Sequence, residues 1–330
     1  MLKYLMPFRI RVSLAIVLSL LGLAVLGPFM FPVPPLEDTV PARQLADPNS
    51  QFLRAAGAEL HVKTYGEPGA ETVYLLLHGF GASLYTWHEV VEPLSRRGFV
   101  ITLDRPAFGL SERPLRDDWE ENPYTAEAQI EQVLALLDAL GIPEAVLVGH
   151  SSGGLLALQT ALAAPERVTG LVLVGATAFQ NGGSPTLLRP LLYSPQMNRL
   201  GPLLMRQFGG ESGDGFLEAA WANANAIDEA TRAAYRQAQR IEDWDKALWE
   251  LSKASRAPDL SRQLPGLEHP SFVLTGRADP VVPPALSERL AEALPEAEFA
   301  ALEDCGHIPQ EECPEPFLTS LTAWLDAHGL

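Results

Sequence analysis

The sequence predicts an α/β domain with a mostly parallel sheet and helices on both of its faces. The first observation behind this prediction is that apolar, strand-like stretches alternate with stretches of helical spacing. The second is that most of these strands are apolar throughout, as strands are when helices cover both faces of a parallel sheet. The third is a break in the alternation over residues 177–270, which predicts a helical insertion.

Each element follows from its pattern of apolar residues. A strand is predicted where apolar residues alternate or run on, and a helix where they recur every three and four residues and end at glycine. Before the break, the predicted strands are 58–66, 72–79, 99–104, 144–149 and 168–176, and the predicted helices are 83–98, 125–141 and 151–165. Thr125 is a candidate cap for the helix at 125–141.

The remaining elements lie inside the break and after it. Two alanine-rich stretches, 213–227 and 229–254, have helical character and contain most of the tryptophans of this region. The strand and helix alternation then resumes with strands at 271–276 and 297–304 and helices at 283–295 and 314–329. One sheet interrupted by a helical insertion is therefore expected.

The charge of the chain excludes some classes of partner. The formal net charge is −17, and only three of the 24 basic residues and none of the 41 acidic residues precede residue 31. The rest of the chain therefore carries a charge of −20. A surface this acidic argues against binding nucleic acid or anionic lipid by electrostatic attraction.

The N-terminal residues 1–31 predict a membrane anchor. Residues 12–31 contain no charge, and at about 1.5 Å per residue they would span roughly 30 Å, the thickness of the hydrocarbon core. Lys3, Arg9 and Arg11 precede this stretch, so the positive-inside rule places the N-terminus in the cytoplasm and the remaining chain across the membrane. The alternative is a signal sequence whose cleavage releases a secreted protein, although no A-x-A-type site follows.

Two further features are the residues that precede the predicted domain at 51–330 and the two cysteines inside it. The proline-rich residues 32–50 are interpreted as an extended linker that holds this domain off the membrane. Cys305 and Cys313 are too few for a disulfide framework or a zinc site. They could pair with each other in an oxidising compartment or remain two buried thiols.

The sequence GHSSG at 149–153 predicts a sharp turn that exposes a serine hydroxyl. It follows an apolar strand and opens a helix, the context in which a G-x-S-x-G sequence forms a nucleophile elbow. Ser151 has a glycine two positions before it, Gly149, and another two positions after it, Gly153, whereas Ser152 does not. Ser151 rather than Ser152 is therefore the candidate nucleophile. Without this context, the same residues could be a glycine turn with a serine cap.

A serine needs a base and an orienting acid to become a nucleophile, and two loops at strand ends offer them. Asp279 follows the strand at 271–276, and His307 follows the last strand. Polar side chains at the carboxyl ends of parallel strands converge on one edge of the sheet. Asp304, which is close to His307 in the sequence, is a rival candidate for the acid, and the other six histidines are expected to have packing or surface roles.

The sequence HGFGAS at 78–83 predicts the remaining part of the site. It joins the second predicted strand to the first helix, where backbone amides can point into the same crevice. The amides of Phe80 and Ser152 are therefore the predicted oxyanion hole. A plain glycine turn would also explain Gly79 and Gly81.

Five stretches together resemble the α/β-hydrolase superfamily of serine esterases and lipases. They are HGFGAS, DRPAFGLSERP (104–114), GHSSGG, GRADPVVP and CGHIPQEECPEPF. The resemblance implies an eight-stranded, mostly parallel sheet with a helical cap after the sixth strand. It also implies that Ser151 is the nucleophile, Asp279 the acid and His307 the base. A serine at the elbow speaks against dehalogenases and epoxide hydrolases, which use aspartate.

The expected function is therefore a membrane-anchored serine hydrolase that cleaves carboxylic esters, with an apolar acyl group bound under the cap. No metal or organic cofactor is expected, because the three side chains and two amides suffice for acyl transfer. A C–C bond hydrolase or a cofactor-free haloperoxidase-like enzyme would use the same residues. The alternative outside catalysis is a small-molecule binding protein with a vestigial site.

Overall fold

The computed structural model describes residues 8–176, 178–179, 182–183, 187, 189–209 and 211–330. Eight strands form one sheet in the spatial order β1-β2-β4-β3-β5-β6-β9-β10. Strand β2 is antiparallel to β1 and β4, and all other neighbours are parallel. The strands are β1 (Gln51–Ala55), β2 (Ala58–Tyr65), β3 (Val73–Leu77), β4 (Phe99–Leu103), β5 (Ala145–His150), β6 (Val168–Val174), β9 (Ser271–Gly276) and β10 (Ala297–Leu302). The predicted eight-stranded, mostly parallel sheet is confirmed.

Both faces of this sheet are buried because alternate residues of the central strands enter different cores. In β3, Leu75 and Leu77 belong to one hydrophobic cluster, whereas Tyr74 and Leu76 belong to the other. The helices α3 (Ala126–Ala139), α4 (Ser152–Ala163) and α10 (Pro284–Ala293) cover the first face, and α2 (His88–Ser95) and α12 (Pro314–His328) cover the second. These two layers explain why the central strands are apolar throughout.

A capping residue and a glycine in the sequence correctly mark the start of one predicted helix and the end of another, whereas one strand was not predicted. Thr125 caps α3 by accepting a hydrogen bond from the amide of Ala128 at 3.2 Å, and α12 ends where Gly329 has a φ of 66°. Strand β1 was not predicted, because QFLRA mixes polar and apolar residues and its burial comes from pairing with β2.

The segment between β6 and β9 is mostly helical, as the break in the alternation predicted. It contains two strands of two residues each, β7 (Gly182–Gly183) and β8 (Arg256–Ala257), which pair with each other. Its helices are α5 (Arg189–Leu192), α6 (Pro195–Met205), α7 (Glu211–Ala220), α8 (Glu229–Gln237) and α9 (Trp244–Ala254). The predicted boundary residue Thr177 lies outside the described residues. We refer to 177–270 as the insertion.

The N-terminal part of the chain begins with a long apolar helix, α1 (Phe8–Met30). Residues 10–30 have a mean hydropathy of 2.3 and are long enough to cross a membrane. The same test is passed by a signal sequence, so the helix is a candidate anchor only. Lys3, one of the predicted flanking charges, lies outside the described residues.

Residues 32–50, for which the sequence predicts an extended linker, contact the insertion at several points. The amide of Val40 donates to Arg240 O at 2.8 Å, and the guanidinium of Arg206 donates to Pro34 O at 2.9 Å. Leu36 packs on a hydrophobic cluster that contains Trp244. Proline-rich composition predicts an extended chain, but these apolar residues and free backbone groups find partners on the insertion.

Candidate active site

Ser151 lies on a strained turn between β5 and α4. Its φ of 52° and ψ of −118° are unusual for a residue with a side chain, and its amide donates to Val174 O at 2.8 Å on the neighbouring strand β6. A side chain at Gly149 would collide with the backbone of Gly154, and one at Gly153 would collide with Leu77 O. The two glycines therefore permit the tight packing of strand, turn and helix on which this geometry depends.

Asp279 and His307 form a buried pair at the same end of the sheet. Oδ2 of Asp279 lies 2.8 Å from Nδ1 of His307, and the two residues are 6% and 5% exposed. The other carboxylate oxygen, Oδ1, accepts the amides of Val281 and Val282, each at 2.8 Å. The acid is thus oriented by its own loop. Asp304 is exposed in this structure and does not take its place.

The structure brings the loop of His307 to the turn of Ser151. The ring of His150 lies 4.8 Å from that of His307, and its Nε2 lies 2.9 Å from the carbonyl oxygen of His307. The His307 ring also lies against Gly175, where an added side chain would come within 3.1 Å of Nδ1. Among the described residues, Ser151 Oγ makes no hydrogen bond to His307; contacts of this kind often tighten only when substrate binds.

The two predicted oxyanion amides lie on either side of this arrangement. Ser152 begins α4, so its N–H is one of those that a helix leaves without an internal partner. Phe80 follows Gly79, and a side chain at Gly79 would come within 3.2 Å of Ser151 Cβ. The turn that carries Phe80 therefore lies directly beside the serine.

A cavity opens next to this turn, between the sheet and the insertion. Phe80 and Gly81 line it from the sheet side, and neither Ser151 nor His307 is among its lining residues. Most of the lining side chains are apolar or aromatic: Phe80, Ala107, Phe108, Phe208, Phe216, Leu217, Tyr235, Ala238, Trp244 and Leu248. Among the lining residues that the structure describes, the one cation is Arg236, which is paired with Asp214 and Glu229. Such a cavity suits an apolar group rather than a carboxylate.

A second serine, histidine and aspartate are hydrogen-bonded elsewhere in the structure. Nδ1 of His61 lies 2.7 Å from Asp104 Oδ2, and its Nε2 lies 2.8 Å from Ser50 Oγ. Burial alone would raise the pKa of Asp104, but the hydrogen bond from His61 and the amide of Leu84 lower it, so the carboxylate is ionised. Ser50 and Asp104 lie 11 and 43 residues from His61 along the chain, so no local pattern in the sequence indicates this contact.

Geometry distinguishes the two constellations. Ser151 has a positive φ and directly precedes the helix α4, whereas Ser50 has no positive φ and directly precedes the strand β1. The Asp104 carboxylate is also engaged by the amides of Leu84 and Leu110, which tie the loops after β3 and β4 together. We therefore interpret Ser50, His61 and Asp104 as a brace between loops.

The loop that carries His307 is held to the insertion by groups that the sequence did not identify. The amide of His307 donates to Ala220 O at 2.6 Å. The carboxylate of Glu312 accepts the amides of Gly306 at 2.6 Å and Asn223 at 2.8 Å. Cys305 and Cys313, which the sequence left either paired or free, form a disulfide that closes this loop.

Glu311 makes a further link between the same loop and the insertion. Its carboxylate is buried and accepts hydrogen bonds from Thr86 Oγ1 and from the hydroxyl of Tyr235, which lies on α8. Its second oxygen, Oε2, is buried without a partner among the described residues. Burial raises the pKa of Glu311 to about 7, because the ionised form is poorly solvated.

The raised pKa of Glu311 predicts a pH-dependent stability. Below about pH 4.5 the carboxyl is protonated in both states, and between pH 4.5 and 7 only the folded protein keeps the proton, so stability falls as the pH rises. The loss should be on the order of 3 kcal/mol. Glutamine does not titrate, so Glu311→Gln should not show this loss. The difference in unfolding free energy between the variant and wild type, measured by urea titration, should therefore rise by about this amount from pH 4 to pH 8. Glu315→Gln, at an exposed carboxylate, is the control, and an equal gain there would contradict the prediction.

Among the described residues, no group of three or more histidine, cysteine, aspartate or glutamate side chains could hold a metal ion. The arrangement places a serine on a strained turn, a hydrogen-bonded histidine and aspartate, and two backbone amides at one end of the sheet. An ordered acid and histidine at the ends of parallel strands, with a serine on a strained strand-to-helix turn, define the class of α/β hydrolases.

Comparison with known proteins gives the same class. The family described as alpha/beta hydrolase fold matches residues 73–314, and the chain belongs to this family. The chain is 31% identical over 300 residues to a 2-hydroxy-6-oxononadienedioate/2-hydroxy-6-oxononatrienedioate hydrolase of Paraburkholderia phymatum, covering 88% of this chain and 99% of the relative. The protein is thus a hydrolase by family and by relatives.

Two solved structures share the fold at 24% identity. A thermophilic esterase from Thermogutta terrifontis superposes with a TM-score of 0.69 over 84% of this chain and 99% of its own. A membrane phospholipase A superposes with a TM-score of 0.68 over 97% of this chain and 98% of its own. At this level of identity, the likeness concerns the fold alone.

Proposed function

We propose that the chain is a serine hydrolase that cleaves carboxylic esters through an acyl-enzyme. Ser151 attacks the carbonyl, His307 takes the serine proton and passes it to the leaving alcohol, and Asp279 holds the imidazole in the required tautomer. The amides of Phe80 and Ser152 stabilise the negative oxygen of the tetrahedral intermediate. Water then attacks the acyl-enzyme: His307 takes a proton from the water and gives it to Ser151 Oγ as the acid product leaves.

The observation that carries this proposal is the conformation of Ser151 together with its neighbours. A residue with a side chain is held at a φ of 52° where the strand β5 becomes the helix α4, with the His307–Asp279 pair on the adjoining loops. Strain of this kind is kept where the surrounding structure depends on it, and it is common at catalytic positions. No comparable strain is found at Ser50.

The lining of the cavity supports an apolar acyl group. Aromatic and aliphatic side chains surround the space beside Phe80, and the one cationic lining residue is already paired. We propose that the insertion acts as a cap over this space. A C–C bond hydrolase, like the Paraburkholderia relative, remains the second candidate because of the 31% identity. That relative's substrate is a dicarboxylate by name, and the described part of the cavity lining has no unpaired cation to bind it.

The N-terminal helix supports a location at a membrane. The guanidinium of Arg199 on α6 donates to Pro28 O at 2.6 Å and to Phe31 O at 2.8 Å, so the end of α1 lies on the insertion. More than half of the exposed large apolar side chains outside α1 are also in the insertion: Leu187, Leu191, Leu204, Phe208 and Phe216. Apolar surface of this kind is typical of membrane contact.

We therefore propose a single-pass anchor with the N-terminus in the cytoplasm, the hydrolase domain on the other side, and lipid-like esters as one class of substrate. Secretion after signal cleavage is the alternative. Carbonate extraction of membranes, followed by mass determination of the intact chain, separates the two, because an anchored chain stays in the pellet at full length.

A series of p-nitrophenyl esters tests the reaction and the cavity together. We expect turnover of the esters, with kcat/KM rising from acetate to medium-chain acyl groups, because each added methylene buries apolar surface worth about 0.8 kcal/mol. A dicarboxylate C–C substrate serves as the comparison. Turnover of that substrate with inert esters would favour the second candidate, and inertness towards both by folded protein would favour a binding function.

A further inference from the structure

Arg105 is a buried cation that the proposed mechanism does not use. It follows Asp104 in the loop after β4 and is 6% exposed. Among the described residues no carboxylate pairs with it: Nε donates to the Gln129 amide oxygen at 3.1 Å, and Nη1 donates to two other oxygens. A buried charge without a counter-ion is costly, so its position calls for a physical explanation.

The two contacts of Nη1 lie on the two loops that carry the proposed oxyanion amides. Nη1 lies 2.9 Å from His78 O and 3.0 Å from Ser152 Oγ. His78 precedes Phe80 by two residues, and Ser152 carries the second amide itself. One guanidinium nitrogen therefore bridges the turn after β3 and the start of α4.

The charge of Arg105 is not balanced locally. Burial lowers its pKa to about 10, which leaves it protonated at neutral pH. The neighbouring His78 is neutral, because burial and then Arg105 itself lower its pKa to about 4. The carboxylate of Asp104 is turned to His61 and to the amides of Leu84 and Leu110.

We propose that Arg105 is a positioning residue for the oxyanion hole, which fixes the amides of Phe80 and Ser152 relative to each other and places an unbalanced positive charge behind them. The inference rests on the proposed function. Arg105 is outside the cavity lining, so it acts through the two loops and through its field. A fixed cation in a water-poor region favours the transition state, where negative charge develops, more than it favours the neutral ester.

Arg113 provides a matched control in the same segment. It is 8% exposed, burial lowers its pKa to about 10, and its guanidinium binds backbone carbonyls of Ser111 and Gly109 at 2.8 Å. It contacts neither His78 nor Ser152. Arg113→Gln and Arg105→Gln therefore remove equivalent buried charges, but only Arg105→Gln removes the bridge.

The test is to compare kcat, KM and the inhibition constant of a trifluoromethyl ketone, which forms a tetrahedral adduct with serine hydrolases. Arg105→Gln should lower kcat about 10- to 100-fold with KM within about twofold, and should weaken the ketone in proportion to kcat/KM. Arg105→Lys, which keeps the charge, should recover part of kcat. Arg113→Gln should leave kcat, KM and the inhibition constant near their wild-type values.

Ser152→Ala is a second test of the role of Arg105, and it does not depend on whether Arg105→Gln folds. It removes the Oγ that Arg105 binds and leaves the amide, so kcat should fall several-fold without a change in KM. An Arg105→Gln variant that behaves like Arg113→Gln, or a loss that falls on KM alone, would overturn the role of Arg105. Wild-type protein that neither turns over esters nor reacts with a fluorophosphonate would instead overturn the proposed function, and this role with it.

Discussion

Replacing Ser151 with alanine is expected to abolish covalent labelling by a fluorophosphonate and to lower kcat on esters by about 10⁵- to 10⁶-fold. The proposed reaction begins with attack by this hydroxyl and passes through an ester of its oxygen, whereas an alanine side chain cannot be acylated. The labelled residue can be identified by mass spectrometry of the digested protein, and kcat by release of p-nitrophenol.

Ser50→Ala is the matched control for this prediction. Ser50 also lies within hydrogen-bond distance of a histidine that is paired with an aspartate, as Nε2 of His61 is 2.8 Å from Ser50 Oγ. It lacks the strained turn and the helix start. Labelling should therefore persist in Ser50→Ala. Equal labelling of wild type and Ser151→Ala, or its loss in Ser50→Ala, would contradict the assignment of the nucleophile.

Replacing Asp279 with asparagine is expected to lower kcat by about 10⁴-fold with little change in the fold. Oδ1 of Asp279 accepts two backbone amides, from Val281 and Val282, so an asparagine will keep its carbonyl oxygen there. Its NH₂ group then faces Nδ1 of His307 and donates to it. The proton of the neutral imidazole moves to Nε2, which can no longer accept the proton of Ser151.

The control for this substitution is Asp304→Asn. Asp304 is exposed and has a φ of 57°, a conformation that asparagine tolerates, so this variant should keep both stability and kcat. Stopped-flow measurement of acylation gives the expected difference directly. A comparable loss in the two variants would mean that the acid was assigned to the wrong residue.

The parts of the fold that the sequence predicted are those with local periodicity. The apolar strands, the capped helix α3 and the change from strand to helix at Ser151 are all visible in short stretches of residues. Strand β1 was missed because its burial depends on pairing with β2 rather than on its own composition.

The contacts that support the site could not be predicted in the same way. Glu311 meets Tyr235 across 76 residues and Thr86 across 225, and polar side chains in loops carry no periodic signal. The bridge from Arg105 to Ser152 likewise joins loops 47 residues apart. A weak signal was available, since Arg105 lies in the loop after a buried strand, at the edge where open α/β sheets place their sites.

The disulfide between Cys305 and Cys313 bears on when the protein acquires activity. It closes the loop that contains His307, and bonds of this kind form after export and are rare in the cytosol. In a newly made chain on the cytoplasmic side, the loop that contains His307 would therefore lack its disulfide. On the topology proposed above, the proposed hydrolase activity would then mature only after the domain reaches an oxidising compartment.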